Sequence, residues 1–535
     1  MESTTTDVLI IGAGHNGLVC AAYLADAGYK VTMLERRHVA GGAAVTEAFH
    51  PGFRNSVASY TVSLLQPKVI ADLDLARHGL RIVERKMSNF LPLDNGDSFS
   101  AGPGITQAEV ARFSKRDAER LPLYEQRLEA IADVLRDLAM KAPPNLVERG
   151  WRDAFTELLS GVGVAGRLGK LGMVAKRDVL DLFTKSAGDW LDYWFESEPL
   201  KAALGFDSIV GNYASPYTPG SAYVLLHHVF GEVNGKRGQW GHAIGGMGAI
   251  TQAMAACCRE RGVDIRTNAG VAKLIVEDGR ALGAVTGSGE EFRARVVVSN
   301  LNPKLLFQRI VDPIHLPADF IERIDRYKCG SGTLRMNVAL SALPRFTCKP
   351  EPGDHLTAGI VIAPSLAYMD RAYVDARANG WSKDPIVEML IASVVDDSLA
   401  PPGQHVASLF CQQVAPILPD GASWDAHKEE VADLMIATVD KHAPGFAQSV
   451  IARQVLTPLD LERTFGLING DIMHGALSLD QLFSARPVLG HGDYRAPIKA
   501  LYQCGAGNHP GGGVTGAPGH NAARVVASDL RWKRV

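Results

Sequence analysis

Residues 7–37, DVLIIGAGHNGLVCAAYLADAGYKVTMLERR, decide the fold. The run DVLII is continuously apolar with β-branched members, which predicts a parallel strand buried on both faces. The glycine turn GAGHNG follows directly, LVCAAYLADAGY predicts a helix closed by Gly28, and VTMLE predicts a second strand that ends at Glu35. This order of strand, glycine turn, helix and acid-terminated strand predicts an α/β protein with a Rossmann-type dinucleotide-binding domain.

The glycine turn and the acid that follows it predict a nucleotide site. Gly12 permits the tight turn, Gly14 lets the backbone approach a pyrophosphate, and Gly17 allows close contact between helix and strand. The N-terminus of the helix offers unpaired N–H groups and the positive end of its dipole to the phosphates. Glu35, 18 residues beyond Gly17, can accept hydrogen bonds from both ribose hydroxyls of an adenosine.

The residues after the acid favour FAD over NADP. Arg36 and Arg37 would suit a 2′-phosphate, but the carboxylate of Glu35 would repel that group. Gly41–Gly42 follows six residues after Glu35, and the C-terminal block at residues 501–530 repeats the order of strand, glycine loop and helix. FAD is long enough to need both, because one site holds its ADP half and the other brings backbone donors to the flavin.

The C-terminal glycine loop is expected to start a helix within residues 513–517. Its N-terminus would face the pyrimidine edge of the flavin and stabilise negative charge on the reduced ring. Only the turn at residues 12–17 is followed by a helix, a strand and an acid, so a single bound nucleotide is expected.

Composition excludes several classes of protein. The 535 residues include 55 Lys and Arg against 58 Asp and Glu, and a net charge of -3 argues against a nucleic-acid partner. Seven cysteines without a CxxC pair disfavour a disulfide framework, a zinc site and a dithiol centre, and no metal is predicted. The N-terminus has neither the basic flank nor the long apolar region of a signal peptide, and no apolar run approaches the ~18 residues of a membrane span. We therefore expect a cytoplasmic location.

One stretch leaves contact with a membrane open. Residues 158–178, LLSGVGVAGRLGKLGMVAKRD, combine apolar residues with Arg167, Lys170, Lys176 and Arg177 and few acids. Such a segment could rest on an anionic bilayer and admit a lipid-soluble substrate. A solvated helix that covers the substrate domain is the favoured alternative.

The domains are predicted to be interleaved. Glycine turns and strand patterns return to the nucleotide domain twice after the first segment, which gives an FAD-binding domain of residues 1–100, 235–305 and 495–535. The inserted residues 101–234 and 306–494 would form a mixed α+β substrate domain.

Motifs along the whole chain resemble those of one superfamily. They are IGAGHNGLVCAAYLADAGYKVTMLERRHVAGGAAVTE, ASPYTPGSAYVLLHHVFGEVNG, IGGMGAITQA, VVSNLNP, FGLINGDIMHGALSLDQLFSARP and CGAGNHPGGGVTG. With them the chain resembles the phytoene desaturase superfamily of carotenoid oxidoreductases, and within it a group named for a pyridine nucleotide-disulfide oxidoreductase domain. The resemblance implies an FAD domain of the glutathione-reductase type. The cysteine positions supply no dithiol to match the group's name, which disfavours thiol redox chemistry.

The resemblance also implies which residues contact FAD. Val271 would touch the adenine through its backbone, and Ala43 stands where many relatives place an arginine. Ser59 and Tyr60 would lie beside the flavin. The full set of predicted cofactor contacts is Gly12, Gly14, Asn16, Gly17, Glu35, Arg36, Gly41, Gly42, Ala43, Ala44, Ser59, Tyr60, Val271, Gly505, Gly513, Val514 and Thr515.

Candidate substrate-facing groups are aromatic and imidazole side chains. His509 lies within the predicted flavin-facing loop, and its alternative role is to brace that loop by hydrogen bonding. Tyr213 and Tyr217 lie on a proline-rich loop, and His227 adjoins His228, of which at most one can face a ligand. For these three residues, ordinary packing is the alternative.

The resemblance implies an FAD-dependent oxidoreductase of the dehydrogenase or desaturase type. It would take a hydride onto flavin N5 from a hydrophobic, unsaturated substrate like a carotenoid or retinoid, or saturate or isomerise such a substrate at the same site. Electrons would pass to oxygen or a quinone, and a homo-oligomer is left open. The alternatives are an amine oxidase-like FAD enzyme and a flavin-binding regulatory protein with vestigial catalysis.

Overall fold

A computed structural model describes residues 4–145, 166, 169 and 171–535 of the chain. About half of the basic stretch at residues 158–178 lies outside the described residues, Arg167 and Lys170 included, whereas Lys176 and Arg177 lie on the helix Met173–Thr184. Among the residues described, no helix combines the length and the apolar character needed to cross a bilayer.

The predicted N-terminal strand is the centre of a seven-stranded sheet, the nucleotide sheet. Thr4–Ile11 pairs in parallel with Val31–Leu34 on one side and with Glu291–Ser299 on the other. Val8, Leu9 and Ile10 have no exposed surface, as the apolar run predicts for a strand covered on both faces. The order of strands is Asp264–Arg266, Val31–Leu34, Thr4–Ile11, Glu291–Ser299, Arg280–Thr286 and Val271–Glu277, with Leu501–Gln503 pairing in parallel with Glu291–Ser299.

Small residues let two helices pack closely beside this sheet. A Cβ on Gly519 would lie 2.1 Å from the carbonyl oxygen of Asn16, so the helix Ala517–Arg531 can approach the helix His15–Asp26 only with glycine there. A Cβ on Gly17 would lie 2.4 Å from the carbonyl oxygen of Gly12. The third glycine of the turn is therefore needed for close packing, as predicted.

A second seven-stranded sheet, the substrate sheet, covers the other half of the molecule. Its order is Val450–Leu456, Leu334–Leu340, His405–Val414, Trp381–Leu390, Gly359–Ile362, Asn89–Pro92 and Ser98–Ala101. All neighbours are antiparallel except Gly359–Ile362 and Asn89–Pro92. The predicted first segment, residues 1–100, thus contains two strands that lie in this second sheet.

Further short strands are Thr46–His50, Phe53–Ser56, Ile82–Glu84, Glu232–Val233, Lys236–Arg237 and Gly241–Ala243. The α-helices of the described residues are His15–Asp26, Pro67–Asp72, Thr106–Phe113, Lys115–Ala139, Met173–Thr184, Ala187–Trp194, Glu198–Phe206, Ser221–His228, Met247–Glu260, Pro303–Leu305, Ala318–Arg326, Leu366–Asn379, Trp424–His442, Phe446–Ser449, Pro458–Phe465 and Ala517–Arg531. Shorter helical turns are Leu306–Ile310, Pro313–His315, Asp354–Thr357, Ala392–Val394, Pro419–Gly421, Ile468–Gly470, Leu479–Gln481 and Phe483–Ala485.

Candidate active site

A cavity of about 420 Å³ lies where the carboxyl ends of the nucleotide sheet face the substrate sheet. Ile11 and Leu34 line it from the ends of parallel strands, and Glu388 and Phe410 line it from the second sheet. Ligands of open α/β sheets bind at this edge, and the volume falls in the range of cofactor and ligand pockets.

The glycine turn leaves the backbone bare at one end of the cavity. Gly12 has a φ of +91°, in the left-handed region that favours glycine. A Cβ on Gly14 would lie 2.7 Å from Asn300 Nδ2, and one on Gly42 would lie 3.1 Å from the Cα of Gly14. The helix His15–Asp26 begins here without a side-chain cap, so its first N–H groups are free to bind an anion.

Glu35 is held in place beside this turn. Its Oε2 accepts the backbone N–H of Ala13 at 2.8 Å, and its Oε1 accepts the backbone N–H of Arg37 at 2.9 Å. The residue is only 7% exposed and lines the cavity. An acceptor-only carboxylate fixed in this way suits a ribose diol.

Several buried polar atoms at this end have no partner in the described chain. They are His15 Nε2, Asn16 Oδ1 and His474 Nδ1, and all three residues line the cavity. Burial lowers the pKa of His15 to about 3, with a contribution from the neighbouring His474 imidazole. Burial likewise lowers the pKa of His474 to about 4. Buried polar groups are nearly always hydrogen-bonded, so these atoms fit a polar cofactor such as the pyrophosphate and ribityl parts of FAD.

A network of charged and aromatic side chains lines the far end. The Tyr60 hydroxyl donates a hydrogen bond to Glu388, and the Arg335 guanidinium lies 4.4 Å from the centre of the Tyr60 ring. Arg85 donates to the hydroxyl of Thr61. Burial raises the pKa of Tyr60 and of Glu388, so the phenol keeps its proton near neutral pH. Tyr60 is therefore a fixed part of the wall.

Most of the predicted cofactor contacts come together around the cavity. Those that line it are Gly12, Gly14, Asn16, Glu35, Arg36, Gly42, Ala43, Ala44, Ser59, Tyr60, Val271, Gly513 and Val514. Gly17, Gly41, Gly505 and Thr515 lie outside the lining. The C-terminal helix begins at Ala517, after its N-cap Gly516, so Gly513 and Val514 reach the cavity from the loop before it.

The four predicted catalytic side chains lie away from the lining. His509 Nε2 donates to the backbone carbonyl of Leu138 at 3.0 Å, which is the bracing role considered for it. Tyr213 packs against Tyr373, with ring centres 5.4 Å apart.

Tyr217 is 40% exposed, and its hydroxyl donates to Asp192 at 3.1 Å. His227 is buried beside Gly512, and burial lowers its pKa to about 3. No cavity contact supports a catalytic role for these four residues, and that role stays a prediction.

Other residues reach the cavity that sequence reasoning did not select. Asn300 and Asn302 follow the strand Glu291–Ser299, and the rule that ligands bind at the carboxyl ends of parallel strands could have identified them. His15 lies inside the glycine turn itself. Of the adjacent pair His227 and His228, of which one at most was expected to face a ligand, His228 lines the cavity. Arg85, Asp207 and Glu388 come from separate segments, and no local pattern predicts that they come together.

The cysteines that meet in the fold are unreactive by environment. Cys20 on the first helix and Cys504 after the last strand contact each other through their thiols, and both are fully buried. Burial raises the pKa of Cys504, which suppresses the thiolate that disulfide exchange requires. Their contact gives no support to thiol redox chemistry.

The sequence matches the family described as flavin containing amine oxidoreductase over residues 17–526. The protein named pyridine nucleotide-disulfide oxidoreductase domain-containing protein 2 from Rattus norvegicus is 41% identical, over 98% of this chain and 94% of its own length. A limonene dehydrogenase polypeptide of Castellaniella defragrans is 27% identical, over 99% of this chain and 96% of its own. Phytoene desaturase (lycopene-forming) of Pseudescherichia vulneris is 23% identical, over 98% and 99%.

Among solved structures, an oxidoreductase from Methanosarcina mazei superposes with a TM-score of 0.61 at 17% identity, over 98% of this chain and all of that one. At this identity the likeness concerns the fold alone.

Proposed function

We propose a substrate class from one premise: the chain belongs to the flavin containing amine oxidoreductases and is an FAD-dependent oxidoreductase. This membership confirms the predicted cofactor, the predicted enzyme class and the predicted α/β fold with a Rossmann-type FAD domain. The predicted resemblance to phytoene desaturases, and to the group named for a pyridine nucleotide-disulfide oxidoreductase domain, is confirmed as well.

The proposed reaction is dehydrogenation of a substrate with an apolar, unsaturated body. A hydride and a proton leave the substrate, and its two electrons pass through the flavin to oxygen or a quinone. When bound, FAD supplies the hydride acceptor. The polypeptide orients the C–H bond of the substrate and excludes water from the site.

The observation that carries this proposal is the apolar wall beyond the glycine turn. Its side chains can surround a hydrocarbon body but offer it no hydrogen bonds. They are Leu64, Phe206, Val210, Phe410, Ile472 and Met473. The names of two relatives, limonene dehydrogenase and phytoene desaturase, refer to unsaturated hydrocarbons and support the same substrate class.

The two ends of the cavity bind different groups. The turn at residues 12–17 and the start of its helix bind phosphate, and Glu35 binds the ribose. Tyr60, fixed between Glu388 and Arg335, gives the far end of the cavity a rigid aromatic wall that orients the substrate.

Amine oxidation is the second candidate. The family description names amines, and the carboxyls of Asp207 and Glu388 at the far end could face a cationic nitrogen. Both candidates use a hydride acceptor in the same place, so substrate tests have to separate them.

The test is anaerobic reduction of the bound flavin, followed by the loss of its visible absorbance. We expect an unsaturated isoprenoid such as limonene or phytoene to accelerate bleaching, while alkylamines leave the rate near background. Faster bleaching by amines would favour the second candidate. A flavin that no isoprenoid, retinoid or amine reduces would instead identify a regulatory flavoprotein.

A pair of tryptophan variants controls for the site. Val210→Trp fills the apolar wall and should abolish substrate-dependent bleaching with FAD retained, whereas Ile417→Trp lies at a position 70% exposed and should change nothing. Full bleaching in Val210→Trp would contradict this placement of the substrate.

A further inference from the structure

One charged side chain at the far end of the cavity has no partner in the described chain. Asp207 caps the C-terminal end of the helix Glu198–Phe206 and lines the cavity between Phe206 and Val210. Among the described residues, no hydrogen-bond donor or cation contacts its carboxyl, in contrast to the other acids at this wall. The residue is of intermediate exposure and its carboxyl faces the cavity, where a group with little water around it normally has a donor or a cation beside it.

The electrostatics of Asp207 follow from this isolation. Burial alone raises its pKa to about 7, because no positive charge or hydrogen bond offsets the loss of water. Its charge in turn acts on Glu388 and contributes to the raised pKa of that carboxyl. Both acids line the same cavity.

A second acceptor faces the same end. The Nδ1–H of His228 donates to the backbone carbonyl of Val224 at 2.9 Å. In the neutral ring the Nε2 atom then carries a lone pair, and burial favours the neutral ring by lowering the pKa of His228. No donor in the described part of the chain contacts this nitrogen, so it is an acceptor available to a ligand.

The other charged side chains of this region bind the protein, although Arg85 Nε and Arg335 Nε have no acceptor among the described residues. Glu388 accepts the hydroxyl of Tyr60, and Arg85 donates to Thr61. Arg335 donates to Ser408 and to the backbone carbonyl of Leu409. The acceptors left without a donor are His228 Nε2 and the carboxyl of Asp207, which is ionised above pH 7, and they call for a hydrogen-bond donor from outside the chain.

We propose that Asp207 is a specificity-determining residue that binds a hydrogen-bond-donating head group, a hydroxyl or a protonated amine, on an otherwise apolar substrate. This inference rests on the proposed function, because it places the head group in the same cavity as the apolar wall. His228 offers the second acceptor to that head group. The substrate is then amphipathic, with its hydrocarbon body along Phe410 and Ile472 and its polar end at Asp207.

The test is binding to the FAD-loaded protein at about pH 8.5, where Asp207 is ionised, and it is read from the flavin difference spectrum without turnover. The probes are n-octanol, n-octylamine, heptyl methyl ether and octanoate, which share a chain length and differ in the head group. We expect octanol and octylamine to bind about tenfold more tightly than the ether, which accepts but cannot donate. Octanoate should bind weakly, because it accepts but cannot donate and would bring an anion beside the ionised carboxyl of Asp207.

Three variants separate a neutral donor from a cation. Asp207→Leu removes the acceptor and should erase the preference for octanol over the ether. Asp207→Asn keeps an acceptor oxygen and removes the charge, so octanol binding should persist while octylamine binding falls about tenfold if the head group is a cation. Asp192→Asn is the matched control. Asp192 lies on the surface and accepts hydrogen bonds from Lys201 and Tyr217, so this variant should bind the four probes as the parent does.

The inference is overturned if the ether binds as tightly as octanol, if Asp207→Leu keeps the parent preference, or if no probe perturbs the flavin. FAD content and melting temperature of each variant, measured in parallel, separate a local effect from loss of fold. Failure here with normal bleaching by isoprenoids would leave the proposed oxidation standing and remove only the head group.

Discussion

Replacing Glu35 by glutamine should weaken FAD binding without unfolding the protein. The carboxylate accepts the backbone N–H groups of Ala13 and Arg37 at 2.8 and 2.9 Å, and we assign its remaining acceptor capacity to the ribose. Glutamine keeps one acceptor oxygen, but its amide group donates and cannot satisfy the second N–H. Hydrogen bonds to a charged group contribute about 1.5–3 kcal/mol, so the dissociation constant should rise roughly 10- to 150-fold.

The assay is titration of FAD into protein stripped of its flavin, followed by quenching of flavin fluorescence. Glu47→Gln provides a matched control, because it removes the same charge. Glu47 lies in a partly exposed position, where it pairs with Arg37 at 2.7 Å. That control should shift the affinity less than about fivefold, the usual range for an exposed ion pair. Unchanged affinity in Glu35→Gln would show that this acid does not bind the adenosine.

Gly17→Ala should lower both the melting temperature and the FAD affinity, because its Cβ would lie 2.4 Å from a backbone oxygen, whereas Gly287→Ala, with 3.8 Å of clearance, should do neither. Stability of the FAD-free protein should fall as the pH drops below 6.5, since the pKa of buried His227 is lowered from 6.5 to about 3. Between pH 6.5 and 3 only the unfolded chain takes up this proton, so the free energy of unfolding should fall by up to about 1.4 kcal/mol for each pH unit. Urea unfolding measures this, and a free energy that does not change with pH would contradict it. NADPH should reduce the flavin slowly in stopped-flow, because one dinucleotide site is expected; fast stoichiometric reduction would refute that expectation.

Local patterns predict the nucleotide half of the molecule well. A continuous apolar run, a glycine turn and an acid after the second strand all lie within residues 7–35, and their geometry follows from backbone sterics. Gly12, Gly14 and Glu35 accordingly line one cavity, and their contact with FAD stays a prediction.

The substrate half depends on contacts between distant segments. Tyr60, Asp207 and Glu388 lie on three different elements, and only the folded chain brings them to one wall. A local pattern can predict a strand but not the sheet that the strand joins. The sequence therefore did not show that Asn89–Pro92 lies in the substrate sheet. A histidine in a glycine-rich loop looks equally suited to chemistry and to bracing, and His509 braces the loop through Leu138.

The central claim is that the cavity holds one non-covalent FAD, and the flavin content of the purified protein tests it most directly. The protein should show the absorbance bands of an oxidised flavin, and acid or heat should release about one FAD per chain, identified by mass. A colourless protein that fails to bind added FAD would contradict the claim.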